Sequence, residues 1–320
     1  MNGIIDDVLV RDFRKSDLND VLDVAHLSFA KEFEVTGFDS DHIRKMVDQM
    51  FGILGRIFLG FSKLFGKEPF KMFVAEIDRR VVGTTMVTKQ GKVGYISSVM
   101  VHPTYRRKGI ARKLMTSALD YIQKKMNKAV LHVVSMNVPA KSLYAKLGFK
   151  EFEKIAYLVG NMDYLLKAED VKEIQIRNFQ KDDNLDEVFD LINSSEDPKH
   201  LKTFDFKKND LKTPVIKRVF HFFAEKKIVA LDHINVVGYA QAIYTTANEA
   251  GKIRNVHLYP KDRSKGIEEM LINAAVNEIR KVGTKKVLVT ASLERPELIS
   301  AIKRLGFEKH LEMVGMVLEL

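Results

Sequence analysis

The sequence predicts a mixed α/β protein (an α+β mixed sheet) made of two tandem copies of one domain, each a mostly antiparallel central sheet flanked by helices. Three observations carry this. β-branched runs of strand length alternate with stretches whose apolar residues recur at three- and four-residue steps. VMVHPTYRRKGIARKLMTSALDYIQKK, from Val99, lies without a gap on VHLYPKDRSKGIEEMLINAAVNEIRKV, from Val256. The 320 residues are 46% apolar and 29% charged with no cysteine, the composition of a globular chain that must build its core without disulfides.

The elements of the first copy follow in order. An opening strand near 8–13 leads to a helix with Ser16 or Asp17 as cap and Leu18, Val21, Leu22 and Ala25 at helical spacing. A second helical region starts near Asp41. MFVAEI, VVGTTMVT and VGYISSVMV read as successive strands, and the short IDRR connection implies an antiparallel meander. From Gly109 to Lys128, Ile110, Leu114, Ala118, Tyr121 and Ile122 trace one face of a helix. AVLHVVSM is another strand, 139–147 another helix, and 152–164 a closing strand pair or one long strand.

The duplication holds an offset of 157 residues, pairing Pro103 with Pro260, Arg106 with Arg263, Gly109 with Gly266 and Leu114 with Leu271. YAKLGF, ending at Phe149, meets IKRLGF, ending at Phe307, and VRDFRKSDLNDVLDV resembles IRNFQKDDNLDEVFDL near the start of each half. The junction falls in the polar stretch Lys167-Ala168-Glu169-Asp170, which divides the chain into domains 1–168 and 169–320.

Charge is unevenly spread. The chain carries 52 basic and 42 acidic residues, a net +10, and residues 92–150 hold 12 of the basic residues against one acid, Asp120. Such a patch attracts phosphates, whether of nucleic acid, a membrane surface or a polyphosphate cofactor. The missing cysteines exclude thiolate–metal sites and a cysteine nucleophile and fit a reducing compartment. The nine histidines lack HExxH-like spacing, so no metal is expected. With no signal-like N-terminal run and no apolar stretch of spanning length, the chain reads as a cytoplasmic protein.

The chemistry concentrates where a strand turns directly into a helix, at Pro103-Thr104-Tyr105-Arg106-Arg107-Lys108-Gly109-Ile110-Ala111-Arg112. The first amides of a helix are unpaired and sit at the positive end of its dipole. Gly109 and Ala111 keep bulk away from that surface while Arg106, Arg107, Lys108 and Arg112 add full charges, a combination suited to a pyrophosphate.

These residues resemble the signature of the GNAT superfamily of acyl-CoA-dependent N-acyltransferases, Arg/Gln-x-x-Gly-x-Gly/Ala, met by Arg106 to Ala111. YISSVMVHP before the loop, and Asn137, Ala140, Tyr144, Gly148 and Phe149 after the next strand, stand at the family's spacing. The resemblance covers residues 4–165 and, more weakly, 174–320. It implies acetyl-CoA as co-substrate, its pyrophosphate held by the backbone from Arg106 through Arg112 and its pantetheine arm paired with a splayed strand at Val99, Met100 and Val101. It further implies that Asn137 steadies that arm and Tyr144 faces the sulfur. The expected activity is acetyl transfer to a primary amine of a protein, peptide or small molecule by direct attack in a ternary complex. A non-catalytic acyl-CoA sensor or scaffold is the alternative. Three phosphates account for the basic patch, so neither nucleic acid nor membrane is an expected partner.

Amide formation needs a neutral amine, a polarised thioester carbonyl and a stabilised thiolate. A backbone N–H at Val99 or Val101 suits the second task, and Tyr144 the third as proton donor. No base is assigned. Many relatives place a glutamate in the strand before the loop, yet here YISSVMVH offers Tyr95, Ser97, Ser98 and His102, leaving Glu76, Glu32 or Glu34 acting through water, or solvent itself. The second copy departs at these positions: Ala111 becomes Glu268, Tyr144 becomes Ile302, and Asn137 falls near Leu293 or Glu294. It is expected to keep the fold without the chemistry. The segment 43–65 has a broad apolar helical face, suited to packing on a domain, walling the acceptor cleft, meeting a membrane surface or binding a partner helix.

Overall fold

The computed structural model describes residues 7–36, 70–211, 224–244 and 250–320. The segment 43–65, the helical region expected from Asp41, and the side chains of Glu32 and Glu34 lie outside the described residues. The first repeat runs β1 (Leu9–Asp12), α1 (Leu18–Thr36), β2 (Phe70–Ile77), β3 (Arg80–Gln90), β4 (Val93–Val101), α2 (Ile110–Gln123), β5 (Lys128–Val134), α3 (Val138–Lys146) and β6 (Lys150–Asn161). The second runs β7 (Ile174–Asn178), α4 (Leu185–Ser195), α5 (Pro198–Phe204), β8 (Ala224–Asp232), β9 (Asn235–Tyr244), β10 (Ala250–Leu258), α6 (Ile267–Arg280), β11 (Lys286–Ser292), α7 (Pro296–Arg304) and β12 (Glu308–Glu319). The stretch from Phe152 is one long strand.

Each repeat enters its first helix by the same device. Asp17 accepts the Arg14 amide at 2.7 Å and the Arg11 guanidinium at 2.7 and 2.9 Å, closing the turn that starts α1. Asp183 does the same for the Gln180 amide and for Arg177, all at 2.6 Å. Burial alone would raise the Asp17 carboxyl, but Arg11 and the Arg14 amide outweigh it and hold the acid below its usual range.

Strands β1 to β4 form an antiparallel meander, and β5 joins β4 in parallel through α2, since parallel neighbours need a crossover. α2 buries Ile110, Leu114, Met115, Ala118 and Ile122 at helical spacing. It lies close because glycines face it: a Cβ on Gly83 would sit 3.2 Å from Leu114, and one on Gly94 2.6 Å from Ile122. Gly251 faces Ile279 of α6 in the same way. Val21 of α1 packs against Val74 and Val81, and Val24 and Ala25 against Met100.

By packing, the chain separates into two units. One takes the described residues up to Glu34, those from 70 to 151, and Gly315–Leu320, with Leu320 donating to the Asn127 carbonyl at 2.9 Å. The other takes Val35, Thr36 and the described residues from Phe152 to Val314, where β6 pairs antiparallel with β11 from Ile155 to Asn161, followed by β10, β9, β8 and β7. The closing strand of the first repeat is thus built into the sheet of the second unit. Among the described residues no helix is long and apolar enough to cross a membrane.

The contact of Gly94 with α2 is expected to be unforgiving. Gly94→Ala should lower stability by about 1–3 kcal/mol in chemical denaturation, as overpacking does. It should cost less in an Ile122→Ala background, because that change removes the atoms it meets.

Candidate active site

β4 continues to Val101 and β5 to Val134, yet their paired residues end at Ile96 and Leu131. The register between β3 and β4 shifts between Thr84 and Met86, and Ser98 takes a φ of +53°, marking a β-bulge that bends β4 away from its parallel neighbour. Beyond the bulge His102 donates its amide to the Val82 carbonyl of β3 at 2.8 Å. Backbone groups alternate sides along a strand, so those of Val101 and Val99 face the edge that β5 has left. The Val101 carbonyl accepts Arg106 Nε at 3.0 Å.

A single 3₁₀ turn, Pro103–Tyr105, reverses the chain into the phosphate-loop sequence. Arg107 and Gly109 take left-handed φ of +67° and +81°, which aims successive amides into one concavity. α2 then starts on Gly109 with no side-chain cap and no acid in its first turn, so its amides and dipole are unopposed. Among the described residues no carboxylate pairs with Arg106, Arg107, Lys108 or Arg112, and a Cβ on Gly109 would meet nothing within 4 Å. Arg106, Arg107 and Arg112 are exposed, and Lys108 Nζ lies 5.3 Å over the Tyr105 ring. Here the chain offers an open anion site beside a strand edge that β5 no longer pairs.

The remaining predicted residues are placed as follows. Met100 is buried, its side chain against Val24 and Ala25, so it contributes backbone to the edge. Asn137 precedes α3, and its Oδ1 accepts the Ala140 amide at 3.2 Å, which commits that oxygen to capping the helix. Tyr144 is buried in α3 with its ring against Phe149, and burial pushes its hydroxyl up to about 12. Glu76 is already tied, accepting Arg11 Nε at 2.7 Å. Sequence reasoning missed His132 of β5, which meets the Tyr95 hydroxyl through Nδ1 at 3.1 Å. Tyr95 is opposite Val130 in the parallel register, so the pair stands where β4 and β5 begin to part. Gly94 faces α2, so Tyr95 projects from the other face of the sheet. A lone histidine in an apolar strand carries no signal until that register is known.

The second repeat keeps the backbone and changes the side chains. Asn255 takes a φ of +55°, β10 and β11 pair only to Ile253 and Val289, and Gly266 starts α6 at +89°. Helices α3 and α7 differ by 158 residues, so the partner of Asn137 is Arg295, the residue before α7. The expectation of Leu293 or Glu294 is therefore corrected: the connection between α6 and β11 is one residue longer than that between α2 and β5, which the uninterrupted offset cannot show. Lys252 and Thr290 stand at the positions of Tyr95 and His132. Lys252 Nζ lies 5.4 Å over Tyr157, and burial lowers its amine to about 8.

The acetyltransferase (GNAT) family model matches residues 32–149. The catalytic subunit NAA20 of the N-terminal acetyltransferase B complex of Arabidopsis thaliana is 36% identical over 46% of this chain and 81% of its own length. The chain belongs to the GNAT acetyltransferase family. An N-alpha-acetyltransferase of Sulfurisphaera tokodaii is 34% identical over 30% of this chain and 67% of its own. Two solved structures share the fold at low identity. A tandem GNAT protein from the clavulanic acid biosynthesis pathway has 15% identity and a TM-score of 0.67, covering 98% of both chains. A GCN5-related N-acetyltransferase from Sphaerobacter thermophilus has 14% identity and a TM-score of 0.69, covering 99% of this chain and 97% of its own. This GNAT protein is thus an N-acetyltransferase of tandem architecture, in a family whose donors are acyl-CoA thioesters.

Gly109→Glu should put a carboxylate among the amides of the loop and abolish acetyl-CoA binding in calorimetry, whereas replacing Gly266 should leave that binding intact.

Proposed function

We propose that the first repeat, 1–168, transfers an acetyl group from acetyl-CoA to the α-amine at a polypeptide N-terminus, in a ternary complex and without a covalent enzyme intermediate. The observation that carries the donor site is the opened edge at Val99 and Val101 leading directly into an anion site free of acids. Support for the acceptor comes from two relatives, one named a catalytic subunit of an N-terminal acetyltransferase complex at 36% identity and one named an N-alpha-acetyltransferase at 34%.

Acetyl-CoA, when bound, supplies an activated thioester whose C–S bond is exchanged for a C–N bond to the amine. Arg106 to Arg112 bind its diphosphate through backbone amides and charge, and Val99, Met100 and Val101 align its arm as an added strand. Asn137 has its amide nitrogen to offer that arm, since its oxygen caps α3. An N–H of Val99 or Val101 donates to the carbonyl oxygen as negative charge gathers there, an interaction of a kind worth about 2.7–4 kcal/mol in a preorganised site.

The proton has to leave the amine. We assign its removal to His132, with Tyr95 fixing the ring through the 3.1 Å hydrogen bond. Tyr144 is then better described as a hydrogen-bond donor to the departing sulfur than as its proton source. A hydroxyl pushed up to about 12 lies well above a thiol near 8.5, so full transfer would be uphill by roughly 5 kcal/mol. The amine proton, relayed through water, completes the thiol.

Two variants test these roles. Tyr144→Phe should slow turnover roughly 10–1000-fold while acetyl-CoA binding persists, in the range of one lost donor. His132→Ala should lower kcat and flatten the acidic limb of the pH–rate profile, and a residue that only packs would leave that limb in place. An unchanged profile at reduced rate removes His132 from proton transfer. The acceptor is tested by thiol release with peptides bearing free against blocked N-termini, where equal rates would contradict an α-amine.

A further inference from the structure

We propose that the cofactor cleft of the second repeat is filled by the protein's own groups, with Glu268 in the diphosphate position, Arg295 in the position of the pantetheine arm and Val171 over the turn. The proposal rests on the reading of the first repeat's cleft given above but concerns residues that take no part in it.

Glu268 replaces Ala111 in the first turn of α6 and is 1% exposed. Its Oε1 accepts the amide of Ser264 at 3.3 Å, and Ser264, with a φ of +59°, is the counterpart of Arg107 in the anion-binding turn. A carboxylate is thus seated on the amides that would hold a phosphate.

Arg295 replaces Asn137 and is 8% exposed. Its Nη1 donates to the Val256 carbonyl at 2.6 Å. Val256 is the counterpart of Val99, on the edge that β11 leaves after Val289. The guanidinium therefore makes the hydrogen bond that an amide of the pantetheine arm would make in the first repeat. Glu297 approaches both Arg295 Nε, at 3.5 Å, and Arg263, at 3.4 Å, and Arg263 is the counterpart of Arg106. Arg263 in turn donates to the Ser195 carbonyl at 2.9 Å and leaves its strand-end carbonyl unbonded by its own side chain.

Glu268 Oε2, Arg263 Nε, and Arg295 Nε and Nη2 are shielded from solvent yet have no hydrogen-bond partner among the described residues, so charged groups of the chain occupy the cleft without all being paired with one another. In addition, a Cβ on Gly266 would lie 3.2 Å from Val171, whose amide donates to Met270 Sδ at 3.3 Å, so the linker lies across the turn. Around Gly109 no described atom takes that place. A diphosphate brought about 4 Å from the Glu268 carboxylate would lose roughly a thousandfold in affinity at a protein-like dielectric.

The test is calorimetry with CoA on the full chain, comparing the parent with Glu268→Ala combined with Arg295→Asn, which restores the side chains of the first repeat. Circular dichroism and thermal melting establish that the variant is folded. The readout is the difference in bound equivalents, so the parent's own stoichiometry reports separately on the first repeat. One added equivalent supports the proposal; no added equivalent in a folded variant overturns it. If the double change prevents folding, Glu268→Ala alone, which leaves Arg295 and Glu297 in place, is measured with inorganic pyrophosphate. Tightening of roughly tenfold or more supports the proposal, and unchanged affinity overturns it.

Discussion

Past Ile96 and Leu131 the parallel pairing of β4 and β5 ends while both strands run on, and the backbone of Val99 and Val101 faces the opened edge. Backbone donors and acceptors must find partners, and an amide left buried without one costs about 1–3 kcal/mol. At the half-buried Val99 and Val101 the fold leaves backbone groups that β5 does not pair, one of which, the Val101 carbonyl, accepts Arg106 Nε. A bulge opens the edge in both repeats, at Ser98 and at Asn255, and the two edges are met differently. In the first repeat the edge is the proposed place of an extended thioester arm; in the second a guanidinium bonds the Val256 carbonyl. In the reading proposed above, one backbone architecture serves a catalytic half and a self-filled half through changes at a few side chains.

Electrostatics follow the same division. The first loop gathers Arg106, Arg107, Lys108 and Arg112 around a helix start with no acid in its first turn. The second places Glu268 and Glu269 in that turn, the latter paired with Arg304 at 2.9 Å. Burial raises the Glu268 carboxyl above its ordinary range. A raised acid favours the fold below its unfolded pKa and loses that advantage as pH rises through the folded value. Glu268 therefore costs the second repeat some stability as pH rises from the ordinary carboxylate range through its own raised value, a cost that comes from its burial and that the Ser264 amide offsets in part.

Much of the fold was legible because periodicity and repetition are local or self-checking. Ile110, Leu114, Ala118 and Ile122 announced α2, and the Arg11–Asp17 and Arg177–Asp183 pairs are the physical content of the resemblance between the two N-terminal motifs. The loop was legible because glycine and clustered charge have few other uses at a helix start. What escaped depends on register or on single insertions. His132 joins Tyr95 only because β4 and β5 align Tyr95 with Val130, and Arg295 takes the place of Asn137 because one extra residue separates α6 from β11. The exchange of closing strands was likewise hidden, since β6 carries the same alternation whichever sheet receives it.

Residue-resolved amide hydrogen exchange, with and without acetyl-CoA, examines the opened edge itself. Slowed exchange at Val99 and Val101 on adding the thioester, with no change across Val256 and Leu258, is the result expected of an arm laid along the first repeat's free strand edge. Protection that develops around Val256 instead, or none at Val99 and Val101 when the thioester is bound, would contradict it.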